Sequence, residues 1–351
     1  MNEQRGFAPP ARSASQHAVV VGLGDVEPHL VTDVLGAEIT FIARPTDHDL
    51  AHAVGAIVRA DAVVDHALLD RAPRLRVLAR TGVGVDHVDL PAATARGIAV
   101  VITPGSGTHG VAEGVLAHAL HLVKRLAPLT ALVRDGRWAQ RAEPGMTPGD
   151  LDGATMGIVG YGRIGRRVGE LATAFGMRVR AYDPLSPPPS EIACWDLAEL
   201  ATASDFVTLH VPLTPRTHHL VDRGFLDGLR PGAILINCGR GGLVDPDAAL
   251  AAVRGGRLGG LGLDVFDPEP PEHHPLFDEP NVVLTPHVMG LSRRATALTF
   301  ADAAQGVVDV LTGATPAAVA NPGWAERGLT TTVHPPAQGH QRLGGTPCES
   351  A

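Results

Sequence analysis

With 351 residues, 44% of them hydrophobic and 19% charged, the chain is long enough for two hydrophobic cores. Its formal net charge of −8, with no clustered Lys/Arg run, speaks against nucleic acid as a partner. Cys194, Cys238 and Cys348 are an odd, widely spaced set that fits a reducing cytoplasm, and neither a membrane span nor the apolar core of a secretory leader is visible.

Residues 1–16, polar and Pro/Ser-rich, are expected to form a disordered tail. An apolar strand at 18–23 opens a block of strand-like runs, AEITFIA, GAIVRA, LRVLART and GIAVVIT. Helical candidates such as VTDVLGA and HVDLPAATARG lie between them. This alternation predicts a parallel sheet with helices on both faces. Residues 111–132 carry apolar side chains at 111, 115, 116, 119, 120, 123 and 126, the spacing of one long helix leading out of the first block.

A second block supplies GIVG, VRAYD, FVTLHVP, AILINCG, LGGLGLDVF and VVLTPH, the strand count of a full dinucleotide-binding sheet. Its first strand runs into Gly160, Gly162 and Gly165 at G-x-G-x-x-G spacing. The first glycine permits a tight turn, the second lets backbone approach a pyrophosphate, and the third lets the helix pack closely on the strand. Gly22/Gly24 and Gly82/Gly84 also follow apolar runs but lack the third glycine. Asp183 ends the next strand, where an acid accepts ribose hydroxyls and repels a 2′-phosphate. The PLSPPP that follows holds no base, so NAD is expected over NADP.

A nicotinamide cofactor leaves the protein to supply a proton donor, a substrate clamp and alignment. Arg240 follows AILINCG in a Gly-rich turn, Glu269 follows LGLDVF, and His287 ends VVLTP. All three stand at carboxyl ends of strands, where open α/β sheets bind ligands. A guanidinium there can grip a carboxylate by two bonds, and a histidine held by a carboxylate can shuttle a proton. Singly, each has a plainer reading as a surface cation, a solvated turn acid or one of 17 histidines. Their joint placement weakens those readings without removing them. A last helix at 292–311 is expected to return to the first block, and 322–351 to form a second disordered tail.

The segments LRVLARTGVGVDHVDL, GIAVVITPG, VAEG, GRW, MGIVGYGRIGRRV, LHVPLTPRT, LRPGAILINCGRGGLVD, LGLDVFDPEPP and LTPH carry a resemblance. From residue 56 to 321 the chain resembles the D-2-hydroxyacid dehydrogenases, the family that includes D-3-phosphoglycerate dehydrogenase. The resemblance implies an α/β protein of two doubly wound parallel-sheet domains. A Rossmann-type NAD-binding domain at 107–287 would be inserted in a flavodoxin-like substrate domain formed by 17–106 and 288–321. It also implies NAD as cofactor, no metal, a small 2-hydroxy or 2-keto acid as substrate, and a homodimer built on 111–132. The regulatory domain that many phosphoglycerate dehydrogenases append is not expected here.

The implied roles fall residue by residue. Arg240 polarises and binds the 2-keto acid, and Glu269 pairs with the acid/base His287. Gly160, Gly162, Arg163, Ile164 and Gly165 hold the pyrophosphate, and Asp183 the ribose. His210, Pro212 and Thr217 line the adenosine side. Cys238, Gly239 and Asp264 stand near the nicotinamide end. Gly82, Val83 and Gly84 offer amides to the substrate carboxylate, with Arg59 beside them. Ile102, Gly107, His109, Gly110 and Met289 depart from the family's usual residues, and Met289 is expected to narrow one edge of the pocket. Cys238 beside Arg240 reads as a buried, inert thiol. The activity expected is NAD-dependent interconversion of a small, 3-phosphoglycerate-like acid and its 2-keto partner. The alternatives are a phosphite- or other oxyacid-oxidising dehydrogenase of the same fold, or an NAD(H)-sensing protein like the C-terminal-binding-protein corepressors.

Overall fold

The structure, a computed structural model, describes residues 17–325; the expected tails 1–16 and 326–351 lie outside the described residues. The first sheet comprises β1 (Ala18–Leu23), β2 (Ile39–Ile42), β3 (Gly55–Val58), β4 (Val77–Arg80) and β5 (Ala99–Val101). Its connections hold α1 (Thr32–Leu35), α2 (Asp47–His52), α3 (His66–Arg71) and α4 (Leu90–Ala95). All pairings are parallel, in the order β2-β1-β3-β4-β5.

Helices α5 (Thr108–Val123) and α6 (Leu126–Arg134) lead to the second sheet. There β6 (Thr155–Val159), α7 (Arg163–Ala174), β7 (Arg178–Tyr182), α8 (Leu197–Ala203) and β8 (Phe206–Leu209) come first. Then follow α9 (Arg223–Gly228), β9 (Ala233–Asn237), α10 (Pro246–Arg254), β10 (Leu258–Leu263) and β11 (Val282–Leu284), before the last helix α11 (Arg293–Thr312). This sheet is again parallel throughout, ordered β11-β10-β9-β8-β6-β7.

Strands β3, β4, β6, β8 and β9 are buried at every residue. A parallel sheet covered on both faces demands this, so its strands read as near-continuous apolar runs. Each sheet has a core on either side. One core of the first sheet joins Val21, Val58 and Leu78 to Leu50, Leu69 and Ala93. Its other core joins Val20, Ile57 and Val77 to Phe300, Ala303 and Val307 of α11. Around the second sheet, Met156, Ile158 and Ile236 meet Val115 and Ala119 of α5 and Val168 of α7. On its far side Val207 and Leu235 meet Leu200, Leu226 and Ala249.

The expected single helix at 111–132 is corrected to two. Arg125 has φ +55, a left-handed conformation that ends α5 and redirects the chain into α6. Helix α11 packs on the first sheet so closely that a β-carbon on Gly306 would lie 2.5 Å from Val101 Cγ1. Asn321 then clips the chain to β5: its Oδ1 accepts the Val100 N–H at 2.8 Å and its Nδ2 donates to the Ile98 carbonyl at 2.8 Å. Residues 322–325, expected in the tail, are ordered, with Trp324 packed against the α11 core. No helix among the described residues is long and apolar enough to cross a membrane.

The second sheet reverses its winding between β6 and β8, and open α/β sheets take their ligands in the crevice beyond such a point. Gly160 and His210 directly follow those two strands.

Candidate active site

The reacting pair is assembled by two loops that follow neighbouring strands. His287 follows β11 and Glu269 follows β10; His287 Nδ1 lies 2.7 Å from Glu269 Oε2. Glu269 Oε1 accepts the Phe266 N–H at 2.9 Å, which fixes the carboxylate. A carboxylate only accepts, so Nδ1 carries the proton and Nε2 is left as the exchanging atom. Both side chains keep part of their surface open to solvent. His287 has φ +53, and the two amides after it, Val288 N–H and Met289 N–H, donate to Asp264 Oδ1 and Oδ2 at 3.0 and 3.1 Å. Asp264 is buried and also accepts from the Thr285 hydroxyl at 2.6 Å.

Arg240 reaches from the second sheet to the first. Its Nη2 lies 2.6 Å from where a β-carbon on Gly84 would stand, and its Nε lies 3.4 Å from Asp86 Oδ2. The turn is held by Asn237, whose Nδ2 donates to the Arg240 carbonyl at 2.8 Å while its Oδ1 accepts the Gly239 N–H at 3.0 Å. Gly241 has no room for a side chain because the Phe266 backbone, from the Glu269 loop, lies against it. In the facing loop Gly82 has φ +145 with open space in front of it, and Val83 is exposed. Arg59 is turned elsewhere, its guanidinium 5.5 Å from the Phe300 ring centroid. The buried cation that touches the 82–84 loop is Arg80, which donates to the Gly84 carbonyl at 2.8 Å and also to the Arg59 carbonyl. Burial lowers the Arg80 pKa from its ordinary value; the nearby Asp86 carboxylate opposes that shift.

The glycine turn fits a dinucleotide. Gly160 has φ +93 and so little room that a β-carbon would lie 2.6 Å from the His210 carbonyl oxygen. Gly162 faces open space at the start of α7, and no side chain caps that helix, so the first-turn amides at Arg163, Ile164 and Gly165 are available for phosphate. A β-carbon on Gly165 would strike the Gly160 carbonyl, as close helix–strand packing requires. Asp183 accepts the Tyr161, Leu185 and Ser186 N–H groups at 2.8, 2.8 and 2.9 Å, which sets its carboxylate beside the turn. A base absent from PLSPPP arrives from α7, with Arg166 Nη2 3.2 Å from Ser186 Oγ. Thr217 Oγ1 donates to the Pro212 carbonyl at 2.7 Å and closes that loop on itself. His210 Nε2 lies 3.0 Å from Thr208 Oγ1, while its Nδ1 is buried without a partner; burial pushes the imidazole pKa down to about 3. Among the described residues no group of three His, Cys, Asp or Glu side chains is placed to hold a metal.

Residues 116–289 match the family described as D-isomer specific 2-hydroxyacid dehydrogenase, NAD binding domain. Over 241 residues the chain is 40% identical to the glyoxylate reductase of Thermococcus litoralis, covering 66% of this chain and 72% of that protein. The chain belongs to the D-isomer-specific 2-hydroxyacid dehydrogenase family.

As a D-2-hydroxyacid dehydrogenase family member it is also 37% identical over 264 residues to the D-3-phosphoglycerate dehydrogenase of Methanocaldococcus jannaschii. That match covers 73% of this chain and 49% of the relative, so the chain spans about half that relative's length. Its fold superposes with TM-score 0.72 on the D-lactate dehydrogenase of Aquifex aeolicus crystallised with NAD and lactic acid, at 28% identity, over 84% of this chain and 96% of that one. Residues 116–289 thus carry the match to the family's NAD-binding domain, and NAD is the cofactor of this dehydrogenase-family chain.

Within this family framework, Arg80, Asp86 and Asn237 join the site without having been singled out in the sequence. Cys238 is buried and burial raises its thiol pKa, which keeps it protonated. Met289, half-buried, packs against α5, where a β-carbon on Gly114 would lie 2.5 Å from its Sδ.

Proposed function

We propose that the chain is an NAD-dependent D-2-hydroxyacid dehydrogenase that works as a 2-keto acid reductase. The observation that supports this reading is the Glu269–His287 pair at 2.7 Å beside an Arg240 seated against the 82–84 loop. When bound, NADH supplies a hydride to C2 of the keto acid. Arg240 and the 82–84 amides grip the carboxylate and stabilise charge on the developing oxygen. His287 Nε2 gives its proton to that oxygen, and Glu269 steadies the ring through Nδ1. Asp183 takes the ribose hydroxyls, and the amides at the start of α7 take the pyrophosphate.

In this reading 17–106 and 288–321 form the substrate-binding unit around 107–287, and the substrate is a small, 3-phosphoglycerate-like acid. Arg80 and Arg240 beside the 82–84 loop favour an anion there. Exposed Leu126, Val133 and Trp138 on and just after α6 supply an apolar face for a homodimer. The test is NADH oxidation with glyoxylate, hydroxypyruvate, pyruvate and 3-phosphohydroxypyruvate. His287→Ala is expected to abolish turnover and leave NADH binding nearly intact. A variant that kept more than about a tenth of the rate would sink the acid/base assignment, since such catalysis supplies roughly 10²–10⁴-fold.

A further inference from the structure

Residues at every fourth position of α5 face the segment that carries His287. A β-carbon on Gly110 would lie 2.7 Å from the Met289 carbonyl oxygen. One on Gly114 would lie 2.5, 2.6 and 2.7 Å from Met289 Sδ, Cγ and Cβ. Met289 therefore rests directly on the bare α-carbon of Gly114, and its side chain joins the core shared by α5 and the second sheet. One turn further, His118 Nε2 lies 3.3 Å from Thr285 Oγ1, whose own proton goes to Asp264. His118 is buried and its Nδ1 has no partner, so Nε2–H is the nitrogen able to donate to Thr285. These contacts all fall on residues 285–289, and none involves the His287 imidazole.

His287, inside that segment, holds a left-handed backbone conformation that is unfavourable for a residue with a β-carbon. Such a conformation persists only where its surroundings over-determine it. Asp264 anchors the two amides that follow His287, and the fit of Met289 to α5 anchors the same stretch through a side chain.

We infer that Met289 and Gly114 form a knob and notch that positions His287, so that α5 aims the acid/base without touching it. Met289 is a positioning residue, and the inference rests on the reading of His287 as acid/base. A methyl group at Gly114 has to displace Met289, and Met289 adjoins the anchored amides, so the displacement passes to His287 through the backbone. Misplacing a reacting group by about 1 Å costs on the order of 100-fold in rate.

The test uses the full chain with NADH and whichever of the four 2-keto acids it reduces fastest. Gly114→Ala is expected to lower kcat about 10- to 100-fold, with NADH affinity by fluorescence titration kept within about twofold and KM moving less than kcat. Met289 Cβ is among the atoms met, so only glycine at 289 clears the new methyl. Adding Met289→Gly to Gly114→Ala removes the clash and the knob together, so the double variant is expected to match Met289→Gly alone, well short of the product of the two single losses. Met289→Ala, which empties the notch, is expected to lower kcat also, and it serves if Gly114→Ala does not fold. An unchanged kcat in Gly114→Ala, or in Met289→Ala where that variant stands in, overturns the inference. So does a double variant whose loss is the full product of the Gly114→Ala and Met289→Gly losses, since the two changes would then act independently. His287→Ala separates the two claims: if it is inactive while Gly114→Ala is fully active, the inference falls alone; if it is active, the acid/base reading falls first.

Discussion

Glu269 uses its two oxygens differently, one for the Phe266 N–H and one for His287 Nδ1. Glutamine has the same shape and only one oxygen. The Phe266 N–H can bond nothing but that oxygen, so the amide NH2 turns toward His287 and Nδ1 must accept. The neutral ring then carries its proton on Nε2, the wrong tautomer for taking one from an alcohol. Glu269→Gln is expected to lower kcat for hydroxy-acid oxidation by roughly 10²–10⁴-fold while NADH affinity holds. A rate within about tenfold of the unaltered protein would break the tautomer argument. Arg240, Glu269 and His287 were legible in the sequence because each stands just beyond a strand among punctuating glycines or prolines. Arg80 was not, because it lies inside the run LRVLART, and a strand pattern does not say which buried residue turns its charge toward a loop. The seat of Met289 on α5 was not legible for a related reason. The surface it fits belongs to Gly114, far earlier in the chain, and one sequence does not show that pairing.

The break between α5 and α6 belongs to the element scale. Apolar periodicity runs through it, from Val111 to Leu126, and so reads as one helix. In α5 the repeat faces the second sheet's core through Ala112, Val115, Leu116, Ala119 and Leu122. After Arg125 the stripe changes role: Leu132 stays buried, while Leu126 and Val133 are 48% and 61% exposed. A single left-handed residue redirects the helix without disturbing hydrophobic spacing, which is why periodicity misses it. The exposed face of α6, together with the 62% exposed Trp138, then needs a cover. If a second copy covers it, Val133→Glu places a charge in that contact. Light scattering is expected to show a dimer for the unaltered protein and a shift to monomer for the variant. A monomer in the unaltered protein, or an undisturbed dimer in the variant, would remove α6 from the interface.

At the scale of the whole molecule, both strand sets were legible as apolar runs, whereas the strand orders depend on pairings that no local pattern contains. Beside the two sheets lie two histidines whose titration ties stability to pH, His118 buried and His210 half-buried with its Nδ1 shielded from water. His210 follows β8 and His118 lies on α5 against β10; burial lowers both pKa values, His210 to about 3. For His118 the nearby Asp264 carboxylate opposes the shift and His121 adds to it. Above about pH 6.5 both rings are neutral in the folded and unfolded chains alike, so neither affects stability. As pH falls below that value the unfolded chain takes up protons that the folded chain refuses, and stability drops. The loss for His210 continues until pH approaches its folded value of about 3. Each such group contributes at most ~1.4 kcal/mol per pH unit within its window. Asp302 works the other way in acid, because burial raises its pKa and protonation at low pH favours the folded state. Its window starts near the ordinary aspartate value of 3.8 and extends upward, opposing the slope set by the histidines there. Without cofactor, the thermal midpoint is therefore expected to fall between about pH 7 and 5. His210→Gln keeps a polar group near Thr208 but cannot take the proton, and is expected to flatten that fall. An unchanged pH dependence in the variant would mean that the imidazole opens to water before it charges, and would remove His210 from the account.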